Sequence, residues 1–352
     1  IKSLVGKLRT IDLVHTLDGK TVLLRIDCDV DIEGSKIIDD TRLAASLSTI
    51  GLLVKKGADI NIVGHLGRPD GEDKKFTLEP IASWFADKLK GEPKPITVGK
   101  LKGWKITDKI NLIENIRFFS GEEKNDEKFA RELALLGDIY VNDAFAVSHR
   151  EHASIVGVTK FLPSYAGLHL EKEIKALSQI LQSPKRPLAI LIGGAKIETK
   201  LPLVEKMHHV ADYVLVGGEI AEQTRVLIKV QHEKIMGRKS AVLVSESNQE
   251  GTDITSKSVE NFCQVLGLAA TIVWNGPVGV VGKGSETEKG TKELAEYIVR
   301  TSAYKVVGGG DTLAYLRTLN LLDKFDFVST GGGAMLEFLS GHKLPGLAAL
   351  EK

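Results

Sequence analysis

Apolar residues along this chain are concentrated in short unbroken runs, and longer segments of mixed polarity separate the runs. Leu188–Ile192 reads Leu-Ala-Ile-Leu-Ile, the pattern of a strand buried on both faces of a parallel sheet. Similar strand-like runs lie at residues 21–26, 59–63, 110–113, 138–141, 211–216, 241–244, 270–274, 304–307 and 325–328. Helical spacing is found at residues 40–56, 77–89 (with Thr77 as N-cap), 126–136 and 164–181. This alternation predicts an α/β protein with doubly wound parallel sheets.

The chain is long enough for two domains, because it has 352 residues and 43% of them are apolar. The helical segment 164–181 is followed by Ser183-Pro184-Lys185-Arg186-Pro187, which breaks the helix. We therefore predict a first domain at 1–165, a connecting helix and hinge at 166–183, a second domain at 184–340 and a tail at 341–352.

The net charge of +1 gives no general reason to expect a nucleic acid or a membrane as partner. The only two cysteines, Cys28 and Cys263, lie far apart, which favours a reducing compartment over a disulfide scaffold. The sequence contains no apolar run of the ~18 residues that a membrane span needs. We therefore expect a cytoplasmic protein that acts on small molecules.

Basic residues follow several strands of the first half. Arg42, Arg68, Arg117 and Arg150, with His65, lie beyond or near strand ends, and such ends line one crevice of a doubly wound sheet. Guanidinium groups that converge there can hold a small anion bidentately. The alternative is a set of separate surface arginines. His149 and His152 have the spacing of a metal pair, but no third ligand stands out.

Glycines follow most strands of the second half. Gly193-Gly194 comes directly after Leu188–Ile192, and other clusters lie at 217–218, 276–279, 308–310 and 331–333. Such turns let the backbone approach phosphates closely. Lys196 and Lys200, spaced i and i+4, would share one helix face and add positive charge. The alternative is an ordinary βα unit with solvated lysines, which would have the same sequence pattern.

Asp311 and Thr312 follow Gly308-Gly309-Gly310 and would suit a Mg²⁺-phosphate, with one carboxylate and one hydroxyl at a helix start. The alternative is that Asp311 is only an N-cap. The sequence contains no Gly-x-x-x-x-Gly-Lys-Ser/Thr, which excludes a P-loop enzyme. It also has no Gly-x-Gly-x-x-Gly with an acidic partner, which disfavours a Rossmann dehydrogenase, and no Gly-x-Ser-x-Gly.

Taken together, these motifs resemble the phosphoglycerate kinase family over residues 20–351. The segments similar to the family's substrate half are Asp39-Asp40-Thr41-Arg42, Gly64-His65-Leu66-Gly67-Arg68-Pro69, Glu114-Asn115-Ile116-Arg117-Phe118 and Val141-Asn142-Asp143-Ala144-Phe145. Those similar to its nucleotide half are Gly193-Gly194-Ala195-Lys196, Trp274-Asn275-Gly276-Pro277-Val278-Gly279, Gly308-Gly309-Gly310-Asp311-Thr312 and Ser329-Thr330-Gly331-Gly332-Gly333-Ala334.

The resemblance implies two facing domains with a cleft between them and a tail that returns to the first domain. It also implies a monomer that transfers the acyl phosphate of 1,3-bisphosphoglycerate to MgADP, giving 3-phosphoglycerate and ATP. The implied phosphoglycerate contacts are Asp27, Asp29, Arg42, His65, Arg68, Arg117 and Arg150. Arg42 and Lys196 would act on the group in transfer, and Asp311 on Mg²⁺. The implied nucleotide contacts are Gly194, Lys200, Gly218, Asn275, Pro277, Val280, Gly309, Gly310, Asp311 and Thr312.

The sequence also departs from the family pattern. Asp29 replaces an asparagine that would touch the substrate, and we expect its charge to weaken 3-phosphoglycerate binding. Glu219 replaces a glycine, Val281-Gly282 replaces a Phe-Glu whose glutamate grips the ribose, and the chain between Gly218 and Ala270 is short. A kinase for a different carboxylate, suggested by Asp29, or a non-catalytic binding module therefore remain alternatives.

Overall fold

The structure is a computed structural model, and it describes residues 8–231 and 240–351. It divides into one unit formed by Ile1–Lys175 and Lys343–Lys352 and a second unit formed by Ala176–His342. The boundary lies inside helix α5 (Leu168–Gln182), and the last segment of the chain belongs to the first unit. Gly346 N donates to Ser148 O at 2.9 Å, which anchors that segment within the first unit.

The strands of the first unit are β1 (Thr21–Arg25), β2 (Ile32–Glu33), β3 (Lys36–Ile37), β4 (Asp59–Val63), β5 (Lys94–Val98), β6 (Leu101–Lys105), β7 (Ile110–Ile113), β8 (Ile139–Asn142) and β9 (Ser164–Ala166). Its helices, besides the first half of α5, are α1 (Thr41–Lys55), α2 (Glu79–Leu89), α3 (Ser120–Glu123), α4 (Glu127–Ala134) and α12 (Pro345–Ala348). The main sheet has the strand order β5-β6-β7-β4-β1-β8-β9. Strands β7, β4, β1, β8 and β9 are mutually parallel, so the predicted α/β class is confirmed.

The second unit contains a six-stranded sheet in which every pair is parallel. Its order β12-β11-β10-β13-β14-β15 is built from β10 (Leu188–Ile192), β11 (Tyr213–Val216), β12 (Ala241–Val244), β13 (Thr271–Asn275), β14 (Tyr304–Gly308) and β15 (Phe327–Ser329). The helices are α6 (Ile197–Val210), α7 (Ala221–Gln231), α8 (Ser256–Leu266), α9 (Ser285–Ile298), α10 (Gly310–Thr318) and α11 (Gly333–Leu339). Every residue of β10 is buried, as its unbroken apolar run predicts.

Each unit has its own apolar core between sheet and helices. In the first, Leu24 and Ile62 of the sheet pack in one cluster with Leu43 of α1 and Phe85 of α2. In the second, Trp274 of β13 lies fully buried in a cluster that includes residues of α8 and α9. None of the helices within residues 8–231 and 240–351 combines the length and the apolar character needed to span a bilayer.

Two predicted helices begin later than their sequence patterns indicate. The segment 164–181 is not helical throughout, because Ser164–Ala166 pairs with β8 as a parallel edge strand before α5 begins. Helix α2 begins at Glu79 and its N-cap is Leu78, one residue after the predicted cap, but Thr77 Oγ1 still accepts a hydrogen bond from Glu79 N at 3.3 Å. The Thr77 hydroxyl also donates to Glu114 Oε2 at 2.7 Å, a contact between residues distant in sequence that a capping rule does not predict.

Asp143, the residue after β8, holds the first turn of α5 through its carboxylate. Asp143 Oδ1 accepts hydrogen bonds from His169 N at 2.9 Å and Leu170 N at 3.1 Å. Burial nevertheless raises the pKa of Asp143 to about 6, although these hydrogen bonds and one with Thr49 favour the ionised form. A carboxyl whose pKa is raised on folding stabilises the fold at low pH, and this contribution is lost as the pH rises through 6.

We therefore expect Asp143→Asn to remove a pH dependence of stability. The amide keeps an oxygen for the α5 amides but carries no charge to desolvate, so the variant should gain stability relative to wild type as the pH rises from 4 to 7.5. A shift from 3.8 to about 6 corresponds to about 3 kcal/mol in the free energy of unfolding. Urea denaturation at both pH values measures it, and an equal difference between the two proteins at pH 4 and 7.5 would contradict it.

Candidate functional site

The parallel strands β7, β4, β1 and β8 are neighbours in the first sheet, so their carboxyl ends meet at one edge. The chain segments that leave these ends carry most of the predicted substrate residues. Asp27 and Asp29 follow β1, His65 and Arg68 follow β4, Arg117 follows β7 and Arg150 follows β8. Arg42 joins them from the first turn of α1.

Arg42 is fixed by two carboxylate-bearing residues of the segment after β1. Arg42 Nη1 lies 3.4 Å from Asp27 Oδ2 and donates to the carbonyl of Asp29 at 2.7 Å. The nearby Asp27 carboxylate raises the pKa of Arg42, whereas burial raises the pKa of Asp27. The Arg42 side chain remains 29% exposed, so the guanidinium is anchored on one side and accessible on the other.

Asp29 stands between two groups that are predicted to bind substrate. Its Oδ1 accepts a hydrogen bond from Gly67 N at 2.9 Å. Its Oδ2 lies 3.9 Å from Arg42 Nη1 and 3.9 Å from His65 Nε2. The carboxylate therefore lies beside the Arg42 guanidinium and the His65 imidazole, two other members of the predicted substrate set.

The remaining arginines differ in how firmly they are held. Arg117 is largely buried, and its Nη1 donates to Gly67 O at 2.6 Å. Burial lowers the pKa of Arg117, while the Glu123 carboxylate, with Oε1 3.2 Å from Arg117 Nε, opposes this shift. Arg68 and Arg150 are exposed, and in the described residues their guanidinium groups form no hydrogen bond or ion pair. Like charges crowded at one edge create a local field that favours an anion.

Sequence reasoning missed a buried polar network behind this edge. Arg25 lies in β1 with no exposed surface, and its Nε donates to Ser154 Oγ at 2.9 Å. Ser154 Oγ donates in turn to Glu122 Oε1 at 2.6 Å, and Glu122 is also fully buried. The signal in the sequence is the arginine itself, because a charge in an otherwise apolar strand requires buried partners.

His149 and His152, considered as a metal pair, lie next to the same network. His152 Nδ1 lies 3.8 Å from Glu122 Oε1. Burial, together with nearby arginines, lowers the pKa of His149 to about 4 and that of His152 to about 3. Across residues 8–231 and 240–351, no three His, Cys, Asp or Glu side chains are grouped so as to hold a metal ion.

The second unit contains a cavity of about 260 Å³ beyond the carboxyl ends of its strands. Five residues of the predicted nucleotide set line it, namely Gly194, Gly218, Pro277, Val280 and Asp311. Ser247 and Thr252 also line it, and sequence reasoning missed both because they lie in the shortened segment after β12. Glu219, one of the departures from the family pattern, lies at the same cavity.

Lys200 and Asn275 are buried behind the cavity. Lys200 Nζ donates to Gly193 O, and it lies 3.4 Å from both Asn275 O and Asn275 Oδ1. Burial lowers the pKa of Lys200 to about 8, and Asp311 opposes the shift. Gly276 must be glycine, because its φ is +97° and a Cβ would collide with Gly193 O and Lys200 Nζ.

Lys196 and Lys200 do not share one helix face, which corrects the prediction from their spacing. Helix α6 begins only at Ile197, and Lys196 precedes it with a non-helical ψ of 81°. Lys196 is consequently exposed, whereas Lys200 is buried. The two ammonium groups therefore occupy different environments within the second unit.

The start of α10 carries the remaining predicted nucleotide residues. Gly309 is the N-cap with φ +98°, and Gly310 is the first helical residue. Asp311 lies in the first turn rather than at the N-cap, and its side chain is exposed at the cavity. Thr312 is buried, and its hydroxyl oxygen accepts from Gly276 N at 3.0 Å. One exposed carboxylate at a cavity lined by glycine turns fits Mg²⁺, because this ion usually binds one or two carboxylates together with phosphate oxygens.

The dipeptide Val281-Gly282, which differs from the family pattern at the ribose contact, lies in a turn before α9. Gly282 has a φ of +77°, and its N–H donates to Glu288 Oε2 at 2.9 Å. Glu288 therefore lies next to Val281-Gly282, the dipeptide that stands where the family pattern has Phe-Glu.

The sequence model described as phosphoglycerate kinase matches residues 11–241 and 224–342 of this chain. A phosphoglycerate kinase of Coprothermobacter proteolyticus is 38% identical over 380 residues, covering 94% of this chain and 96% of that protein. One of Dictyoglomus turgidum is 36% identical over 383 residues, covering 95% and 96%. These alignments are longer than the 352-residue chain, so the relatives contain segments that this chain lacks.

Solved structures agree with the sequence comparison. The phosphoglycerate kinase of Coxiella burnetii is 30% identical, with a TM-score of 0.78, covering 97% of this chain and 98% of that one. The enzyme of Pyrococcus horikoshii is 29% identical with a TM-score of 0.79 and the same coverage. The motifs, the two parallel-sheet units and the relatives point to one family, and the chain belongs to the phosphoglycerate kinases, which are phosphotransferases.

Proposed function

We propose that this protein transfers a phosphoryl group reversibly between 1,3-bisphosphoglycerate and MgADP, giving 3-phosphoglycerate and MgATP. The observation that carries the proposal is the grouping of Arg42, His65 and Arg117 at the edge of the first sheet. Asp29 Oδ2 lies 3.9 Å from both Arg42 Nη1 and His65 Nε2, and Arg117 Nη1 contacts Gly67, so this edge suits a small, highly charged anion. The nucleotide then belongs to the cavity of the second unit, where glycine turns, lysines and Asp311 suit a polyphosphate.

The phosphoglycerate is held by the edge of the first sheet. Arg42, accessible on one side, neutralises the group in transfer, and His65 and Arg117 hold the anionic ends of the substrate. The full set of proposed contacts is Asp27, Asp29, Arg42, His65, Arg68, Arg117 and Arg150. Asp27 contributes by orienting Arg42 across their 3.4 Å ion pair.

In the second unit, exposed Lys196 guides the transferring group and buried Lys200 holds nucleotide phosphates. The other proposed nucleotide contacts are Gly194, Gly218, Asn275, Pro277, Val280, Gly309, Gly310, Asp311 and Thr312. Asp311 is the residue that would hold Mg²⁺, and the bound ion supplies neutralisation of phosphate charge.

The chemistry requires no general base, which agrees with the pattern of residues at both sites. The acceptor carboxylate is already ionised at pH 7, and the buried His65 is neutral because its pKa is lowered well below the ordinary value, first by burial and then by nearby arginines. Positioning and charge neutralisation remain the tasks of the protein. Transfer also requires the two ligands to meet, and we propose that hinge bending within 166–183 allows it.

We further propose that the protein works as a monomer in the cytoplasm, in glycolysis or gluconeogenesis, without a nucleic acid or membrane partner. The near-neutral net charge supports the restriction to small molecules. Cys28 and Cys263 are both free thiols, and burial raises their pKa values, which suits a reducing compartment.

Calorimetry with each ligand alone tests the proposal. Wild-type protein should bind 3-phosphoglycerate without nucleotide, and MgADP without 3-phosphoglycerate, each with one site per chain. Titrations with MgGDP and with a carboxylate that lacks the phosphate test nucleotide and substrate choice. A protein that binds neither 3-phosphoglycerate nor any purine nucleotide would contradict the proposal, and binding of nucleotide alone would favour a different carboxylate as substrate.

Asp29→Asn should tighten binding of 3-phosphoglycerate. The amide oxygen can still accept from Gly67 N, while the negative charge between Arg42 and His65 disappears. Because a like charge ~4 Å from an anion costs on the order of 1 kcal/mol near a wet surface, the KM for 3-phosphoglycerate should fall about fivefold. An unchanged or higher KM for 3-phosphoglycerate, with an unchanged KM for ATP as control, would rule the effect out.

A further inference from the structure

Arg25 occupies the centre of the buried network behind the arginine-rich edge. Each nitrogen that the structure places in a hydrogen bond has a distinct acceptor. Nε donates to Ser154 Oγ at 2.9 Å, Nη1 donates to the carbonyl of Ile26, and Nη2 lies 3.0 Å from His65 Nδ1. The guanidinium is therefore held in one plane by three contacts, with no exposed surface.

The contact with His65 has a defined direction, because a guanidinium group has donors and no acceptor. His65 Nδ1 must consequently accept the hydrogen bond with its lone pair. A neutral imidazole carries its one proton on the other nitrogen, so Nε2 is the N–H group of His65. Nε2 is the nitrogen that lies towards Asp29, 3.9 Å from Oδ2, on the substrate side.

The surroundings of His65 keep it in this form. Burial lowers its pKa, and the charges of Arg25, Arg117 and Arg42, together with His152, lower it further. The Asp29 carboxylate, with Oδ2 3.9 Å from His65 Nε2, favours protonation, but it is 43% exposed and solvent screens its charge. Protonation would place a proton on Nδ1 directly against the guanidinium of Arg25, which has no acceptor for it.

The buried charge of Arg25 is balanced by the carboxylate of Glu122, and Ser154 links the two side chains. Ser154 Oγ accepts from Arg25 Nε, and so its own proton is available to Glu122 Oε1 at 2.6 Å. Glu122 Oε2 accepts from Ser154 N at 2.9 Å. Glu122 thus anchors the serine that anchors the arginine, without contacting the ligand-facing side of the edge.

We propose that Arg25 is a positioning residue that fixes His65 as the neutral tautomer with its proton on Nε2. His65 then presents one N–H donor of constant direction to an oxygen of the bound anion. The identity of that anion rests on the proposed function, whereas the tautomer is a property of the ligand-free protein.

Nitrogen-15 NMR of the histidine rings tests the tautomer directly. In ligand-free wild-type protein, His65, assigned by comparison with His65→Gln, should show an unprotonated Nδ1 and a protonated Nε2, unchanged between pH 8 and 5.5. A protonated Nδ1, or titration of His65 near pH 6.5, would overturn the proposal. This outcome is independent of whether the protein has phosphoglycerate kinase activity.

Variants of Arg25 separate positioning from general stability. Arg25→Met should produce a mixture of His65 tautomers and raise the pKa of His65, while burial and the charges of Arg117 and Arg42 keep that pKa below the ordinary value. Arg25→Lys, which also can only donate, should restore the Nε2–H form. Arg131→Met is the matched control, because Arg131 is exposed on α4 in an ion pair with Glu127 and should leave the His65 signals unchanged. An Arg25→Met spectrum identical to wild type would contradict the assigned role.

Kinetics provide the second readout. Arg25→Met should raise the KM for 3-phosphoglycerate on the order of tenfold, as expected for weakening one hydrogen bond to a charged group, with the KM for ATP unchanged. Arg25→Lys should recover most of the affinity. Equal increases in both KM values would indicate a merely structural effect of the substitution and would refute the positioning role.

Discussion

Arg42→Met is expected to lower kcat/KM for phosphoryl transfer by about 10³-fold. The substitution removes the accessible guanidinium that we assign to the transferring group, and loss of one such electrostatic contact typically costs about 3–4 kcal/mol in the transition state. It also leaves Asp27 buried without its ion-pair partner 3.4 Å away. Steady-state assays with 3-phosphoglycerate and MgATP measure the effect.

Two further measurements make the Arg42 result specific. Arg42→Lys keeps the charge but lacks the planar fork, and it should recover only part of the activity. Urea denaturation should show that Arg42→Met remains folded under assay conditions. A decrease of less than threefold in kcat/KM would contradict the role assigned to Arg42 in phosphoryl transfer.

Replacing Lys196 or Lys200 with methionine should change different quantities, the transfer rate in one case and ADP affinity in the other. Lys196 is exposed and precedes α6, so Lys196→Met should reduce kcat about 10²- to 10³-fold and leave ADP affinity nearly unchanged. Lys200 is buried behind the cavity of the second unit, so Lys200→Met should weaken ADP binding about tenfold or more. Calorimetry with MgADP and single-turnover rates distinguish binding from transfer.

The pH dependence of ADP binding gives an internal control for Lys200. Because burial lowers its pKa to about 8, the free protein loses this charge as the pH rises above 8, and ADP affinity should fall with it. Lys200→Met should lack this fall, whereas Lys196→Met should retain it. Equal losses of affinity in both variants would mean that the lysines serve one undivided phosphate site.

The sequence predicted those parts of the fold in which burial is uniform. Leu188–Ile192 could be recognised as a strand because all five residues are buried. The hairpin of β5 and β6 could not, because β5 lies at the sheet edge with exposed or half-buried side chains, so no apolar run marks it. Ser164–Ala166 shows no strand pattern in the sequence, because three residues are too few to show a period of two.

The candidate site was predictable where single residues carry its chemistry and hidden where distant residues cooperate. Arginines after strands indicate an anion site, and the family pattern places Asp29 beside it. The relay from Glu122 through Ser154 to Arg25 joins residues up to 129 positions apart, which no local pattern reveals. The unequal burial of Lys196 and Lys200 also escaped prediction, because it depends on where α6 begins.

The most direct test of the central claim is formation of an acyl phosphate from 3-phosphoglycerate and MgATP. Hydroxylamine in the reaction traps an acyl phosphate as a hydroxamate, which can be identified by mass spectrometry, while ADP is quantified in parallel. We predict one 3-phosphoglyceroyl hydroxamate per ADP formed, and about 10³-fold slower formation of both products with Arg42→Met at the same enzyme concentration. ADP formation without hydroxamate, or no turnover by wild-type protein with ATP or GTP, would contradict the account.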